Sequence, residues 1–121
     1  MASRVHPPPR MLDRIAGQLE RYMDLLSARQ KVVASNIANA DTPGYHTQDI
    51  DFQGEFSGAL AGPPQVAEVQ GLPTRNDGNN VSLDREARLL AENTLRFQAA
   101  SSLLHAQIGA VQTAIDSGKN A

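Results

Sequence analysis

Cysteine and tryptophan are absent from this 121-residue chain, and only three Phe and two Tyr are present. The lack of cysteine excludes disulfides, thiolate metal sites and cysteine nucleophiles together, and it fits any redox compartment. The shortage of aromatics limits the core. Large side chains supply most of the burial energy, at roughly 25 cal/mol per Å² of apolar area. Of the hydrophobic residues, which make up 40% of the chain, 17 are Ala. Such a composition builds helix seams more readily than a thick globular core. No run approaches the roughly 20 apolar residues of a membrane span. The first ten residues, MASRVHPPPR, lack the apolar region of a secretory signal peptide. On these signals alone the chain reads as cytosolic. Its 11 basic and 13 acidic residues are intermixed, for a net charge of −2, so no basic stripe offers itself to nucleic acid.

What is present is helical periodicity near both ends. After Pro7-Pro8-Pro9, which marks residues 1–10 as a flexible extended arm, Leu12, Ile15, Leu19, Tyr22, Leu26, Val33 and Ile37 recur at steps of three and four, with one turn skipped at Arg29. This predicts a helix over 11–38, with Gly17 inside it at a cost of roughly 1 kcal/mol relative to Ala, tolerable if something packs closely there. The helix stops at Asn39-Ala40-Asp41-Thr42-Pro43-Gly44-Tyr45. Pro43 pushes Thr42 out of the α region, and Pro-Gly at the centre of a turn signals type II geometry.

The second helix carries the longer pattern. Leu83, Ala87, Leu90, Thr94, Phe97, Ser101, Leu104, Ile108, Val111 and Ile115 advance by alternating fours and threes, a heptad seam without a break. Ser82 is a good N-cap, Asp84 and Glu86 suit the first turn, and Gly118 with Lys119 supplies the stop. The predicted fold is mainly α: two long terminal amphipathic helices in an antiparallel coiled-coil-like pair, joined by a mostly irregular insert with at most a short strand pair. The divisions are an arm at 1–10, a helix and turn at 11–44, an irregular or disordered insert at 45–81, a heptad helix at 82–117 and a tail at 118–121. Within the insert, Ile50 and Phe52 alternate with Asp49 and Asp51, Val66 and Val69 suit a short extended piece, and Phe56, Leu60 and Ala61 suit a helical turn. Two helices leave much apolar surface bare, so the seams imply further partners.

The chemical motifs are weak. His6, His46 and His105 have no i, i+4 pairing, which argues against a zinc site. Asp49 and Asp51 read as water-facing, and Asp84 and Glu86 as helix-terminal acids rather than an acid–base pair. Asp77-Gly78-Asn79-Asn80 lacks EF-hand spacing, and Asn80-Val81-Ser82 is a short sequon next to a cap. Two classes remain on this basis: an assembly subunit, or a cytosolic coiled-coil regulator or adaptor. A small hydrolase using Asp49, Asp51 or His46 would require an ordered pocket in the insert.

The stretch Ala34-Ser35-Asn36-Ile37-Ala38-Asn39-Ala40-Asp41-Thr42-Pro43-Gly44-Tyr45 resembles the N-terminal signature of the bacterial flagellar rod and hook proteins. The blocks Asp77-Gly78-Asn79-Asn80-Val81, Leu83-Asp84-Arg85-Glu86, Leu95-Arg96-Phe97-Gln98 and Asp49-Ile50-Asp51-Phe52 narrow the resemblance to the short proximal rod proteins of that family. His46, Ser82, Phe97 and the Pro-rich start depart from the usual pattern. The resemblance implies a structural, non-enzymatic subunit without cofactor or metal. It also implies export by the flagellar type III apparatus without a cleaved signal, and a place in the rod crossing the periplasm, which replaces the cytosolic reading. The implied partners are copies of itself, other rod proteins, the rod-to-membrane-ring adaptor and the export machinery, with no nucleic acid and no direct membrane insertion. The implied turn residues are Asn36, Asn39, Thr42, Pro43, Gly44 and Tyr45. Seam residues follow from the periodicity: Leu12, Ile15, Leu19, Leu26, Val33, Ile37, Leu83, Leu90, Phe97, Leu104, Ile108, Val111 and Ile115. On this reading Leu104→Asp leaves expression and export intact but blocks rod growth; normal swimming by that variant would sink the seam assignment.

Overall fold

The computed structural model describes residues 11–58 and 62–119, with the Leu12 side chain excepted. The arm at 1–10, Leu60, Ala61 and the last two residues of the tail lie outside the described residues. The order of elements is α1 (Met11–Ala38), β1 (Gln48–Ile50), α2 (Phe52–Ser57), β2 (Val66–Glu68) and α3 (Leu83–Lys119). The mainly helical fold, with two long terminal helices and one small strand pair, is as the periodicity predicts.

α1 and α3 run antiparallel. Asn36 near the end of α1 meets Glu86 near the start of α3, and Asn93 donates to the Leu26 carbonyl at 2.8 Å. Ile15 and Leu19 share a groove with Ala100 and Leu103. The face of α3 turned to α1 differs from the expected one. Its buried residues are Glu86, Leu89, Asn93 and Ala100, each one position before a predicted seam residue. One residue is about 100° of helix rotation. An apolar pattern overlooks this face because Glu86 and Asn93 belong to it, and both are buried only because partners satisfy them. Leu83, Phe97, Ile108, Val111 and Ile115 consequently stay exposed, while Leu90 and Leu104 sit half-buried at the edge.

On α1, Leu26 and Val33 are buried as expected, together with Leu25, while Ile15 and Leu19 are half-buried and Ile37 is exposed. The core gathers near the turn, where Ile50 and Val81 join them. Among the described residues, no α1 residue before Leu25 and no α3 residue after Ala100 is buried. The pair is closed at one end and open at the other.

The insert is organised by contacts within the chain. β1 and β2 pair antiparallel, with Asp49 opposite Ala67. Phe52 opens α2 instead of continuing the strand, because Asp51 caps the helix by accepting from the Gly54 N–H. That places Phe52 and Phe56 against Tyr22 of α1, edge to face at ring separations of 5.3 and 5.5 Å. Three of the five aromatic residues thus form one cluster that pins the insert to α1. Arg21 adds a 2.7 Å bond to the Gly62 carbonyl.

Gly17 has no close neighbour: a Cβ there would meet nothing within 4 Å. Gly17→Ala should therefore raise the stability of the isolated chain by up to about 1 kcal/mol, read as a higher midpoint in urea unfolding.

Candidate assembly site: a locked turn and an open helix face

The turn after α1 forms because Pro43 cannot continue a helix and Gly44 can take the positive φ that follows it. Tyr45 N–H donates to the Thr42 carbonyl at 3.2 Å, and Gly44 has φ +75°, the type II geometry that Pro43-Gly44 demands. Asn39 closes the helix end by donating its side-chain amide to the Ser35 carbonyl at 2.8 Å, and Thr42 donates to Asn39 Oδ1.

The second signature block is the partner of this turn. Gly44 N–H donates to the Asp77 carbonyl at 2.8 Å. Gly78, at φ +83°, lies so near that a Cβ on it would sit 3.2 Å from Gly44 Cα. Asn79 is fully buried and spends its whole hydrogen-bonding capacity here. Its amide donates to the carbonyls of Asn39 and Thr42, both at 2.8 Å. Its oxygen accepts from Arg75 and from the Val81 N–H, also at 2.8 Å. Arg75 further reaches the carbonyls of Ala40 and Val81. A calcium reading of Asp77-Gly78-Asn79-Asn80 fails on this geometry, since the Asn79 oxygen is already occupied. The sequon fails as well: Asn80 is buried, and its side-chain oxygen accepts from the Thr47 N–H.

Asn36 does the same one turn earlier. Its amide donates to the Gln48 carbonyl at 2.8 Å and to Glu86 at 3.1 Å, and its oxygen accepts from the Tyr45 hydroxyl at 2.9 Å and the Gln48 N–H at 3.1 Å. By taking both backbone groups of Gln48, the Asn36 side chain closes the outer edge of β1 as another strand would. Four bonds are all that an Asn side chain can make, so neither buried carboxamide carries an unsatisfied group.

Charge surrounds this core. Asp49 was expected to face water; instead it takes a two-pronged bond from Arg29, at 3.0 and 2.9 Å, and a further 2.9 Å bond from Arg85. Arg85 also meets the fully buried Glu86 at 2.7 Å. Burial opposes the charge on Asp49, yet the Arg29 hydrogen bonds, the Ile50 N–H, the Arg29 charge and the Arg85 bond together hold its carboxyl below the usual range. The network joins α1, β1 and α3. Sequence periodicity could not reveal it, because the partners lie 20 and 36 residues away.

The residues of the hydrolase alternative do not converge. Asp49 is held by two arginines, Asp51 caps α2, and His46 Nδ1 lies 3.3 Å from a Glu68 carboxylate oxygen on an exposed edge. No group of three or more His, Asp or Glu suited to a metal ion occurs among the described residues. None of the described helices is long and apolar enough to cross a membrane.

A turn-locked helix pair with a bare apolar face defines a structural subunit. A family model described as flagella basal body rod protein matches residues 23–46, the second half of α1 and the locked turn. Flagellar basal body rod protein FlgB of Escherichia coli K12 is 34% identical over 137 aligned positions, covering 89% of this chain and 99% of the relative. FlgB of Yersinia enterocolitica is 32% identical, covering 89% and 100%. FlgB of Cereibacter sphaeroides is 35% identical over 109 positions, covering 75% and 85%. The chain belongs to the FlgB family of flagellar basal body rod proteins, and its role is structural, in the basal body of the flagellum. The longer alignments exceed the 121 residues of this chain, so those relatives carry residues that it lacks.

The depressed pKa of Asp49 fixes the sign of a pH effect. A carboxyl held below its unfolded value contributes stability above about pH 4, and that contribution is lost as pH falls through the folded pKa. Asp49→Asn should cost about 2 kcal/mol at pH 7 by leaving Arg29 without its anion and Arg85 with Glu86 alone. In urea unfolding the gap to the unsubstituted chain should narrow below pH 4; an unchanged gap at pH 3 would show that the charge is not what matters.

Proposed function

We propose that this chain is a proximal rod subunit, exported unfolded by the flagellar type III apparatus and polymerised through its terminal helices. Its partners in this reading are copies of itself, the other rod proteins and the rod-to-membrane-ring adaptor. The observation that carries the polymerisation step is the bare face of α3. Phe97, Ile108, Val111 and Ile115 are each at least 38% exposed along one face of the helix. Rows of apolar side chains on a soluble subunit mark a surface that another protein covers.

Export in an unfolded state suits the same architecture. No disulfide ties the chain, and its small core leaves little to dismantle. Refolding needs the locked turn, whose parts come from residues 36–49 and 75–86. That lock sets the helix pair before the open end meets its neighbours. The predicted seam residues Leu83, Phe97, Ile108, Val111 and Ile115 serve this outer contact, while Leu26 and Val33 serve the internal one.

Ile108 is 53% exposed, which separates folding from assembly more cleanly than half-buried Leu104. Ile108→Asp should leave the circular dichroism of the purified chain unchanged and lower its urea midpoint only slightly, since Ile108 merely borders Asp13 and Ala16 of α1. Cells carrying it should still export the chain but yield basal bodies without a rod and fail to swim. Normal rods in purified basal bodies would overturn the polymerisation reading, and retention of the chain in the cytoplasm would overturn the export reading.

A further inference from the structure

We propose that Asp77 is a site of spontaneous isomerisation to isoaspartate, which the locked turn suppresses and which, once formed, keeps the turn from locking.

Asp77 is the only Asp or Asn in the sequence that a Gly follows. An unconstrained Asp-Gly bond is chemically weak, because no side chain shields the following nitrogen and the backbone there turns freely. The Gly78 amide nitrogen attacks the Asp77 Cγ, and its proton leaves with the carboxyl hydroxyl as water. A five-membered succinimide results. Water then adds to either of its carbonyls and opens the ring. Addition at the former main-chain carbonyl leaves the chain running through the Asp77 side chain. Water is released and then taken up, so the product is an isomer and nothing is oxidised or reduced.

In the folded chain the same atoms are held off this path. The peptide between Asp77 and Gly78 is tied at both polar ends. Its carbonyl accepts from the Gly44 N–H at 2.8 Å, and its N–H donates to the Arg75 carbonyl at 2.9 Å. The attacking nitrogen thus has its proton engaged, and the peptide plane is not free to swing toward Cγ. Asp77 Oδ1 accepts from the Asn79 N–H at 3.0 Å, which holds the carboxyl group as well. Behind these bonds stands the Asn79 side chain, committed to Asn39, Thr42, Arg75 and Val81. Asp77 itself is exposed, so water is at hand. Protection comes from the bonds and not from burial.

The weak bond is inseparable from the lock. Gly78 has φ +83°, and a Cβ on it would sit 3.2 Å from Gly44 Cα, so a residue with a side chain would be strained there. Isoaspartate lengthens the main chain by a methylene and turns the carbonyl that Gly44 uses into a free carboxylate on a side branch. Asn79, two residues on, is then displaced from the carbonyls of Asn39 and Thr42. An unlocked copy is the one exposed to the reaction, and its product stays unlocked.

Peptide mapping of the purified full chain tests this, using a protease that cuts before Asp but not before isoaspartate. At neutral pH, isoaspartate should accumulate at position 77 about 10-fold faster or more in denaturing urea than in buffer, since in the fold the reaction waits on local opening. Asn79→Ala in buffer should approach the urea rate. Arg75→Ala, which keeps Asn79 but loses the bonds to the Ala40 and Val81 carbonyls, should fall between. Circular dichroism reads whether each variant keeps its helices; should Asn79→Ala lose them, Arg75→Ala decides alone. Chain aged in urea and returned to buffer should contain an isoaspartate fraction with a lowered urea midpoint. Equal rates in buffer and urea, or a rate that neither variant raises, would overturn the protection. An isoaspartate fraction with an unshifted midpoint would overturn its effect on the lock.

Discussion

Two buried carboxamides, Asn36 and Asn79, hold the rest of this structure in place. Each makes four hydrogen bonds, and each ties the end of α1 to a segment far along the chain. The net worth of one such bond is about 1 kcal/mol, but leaving a buried polar group unpaired costs about 1–3 kcal/mol. The penalty for wrong partners is what makes the pair decisive. Any arrangement that removes Asn79 from the carbonyls of Asn39 and Thr42 strands several groups at once.

That constraint explains why a chain with so few large side chains still adopts a defined geometry. Near the turn, specificity comes from directional bonds and from the Arg29–Asp49–Arg85–Glu86 charges, not from the volume of a core. Farther from the turn such bonds thin out, and so does burial. The helices there are amphipathic but face each other across grooves. A subunit of the basal-body rod has a use for that division: one end defines the fold, and the other remains available to neighbours.

The relation between periodicity and packing on α3 is instructive. A heptad of apolar residues marks a real stripe, yet the face against α1 is the adjacent one, built on Glu86, Leu89, Asn93 and Ala100. Hydrophobic pattern identifies residues that gain by leaving water. It is blind to polar residues whose partners exist only after folding. Asp49 shows the same limit: on a short extended stretch it reads as solvated, and only Arg29 and Arg85 reveal it as a centre of charge.

Much was decided by local sequence alone. The extent of α1, the start of α3 at the Ser82 cap, the stop at Pro43-Gly44 and the scarcity of regular structure between them follow from backbone preferences acting within a few residues, whereas α3 runs through Gly118, the expected stop, to Lys119. The signature block at 34–45 also sufficed to point to the flagellar rod family. Tertiary structure decided the remainder: which face of α3 meets α1, why the Asp77–Val81 block accompanies the Pro43-Gly44 turn, and how the insert is pinned by Tyr22, Phe52 and Phe56. Those outcomes depend on groups separated by tens of residues. Their bonds have no energy to contribute until the chain has closed around them.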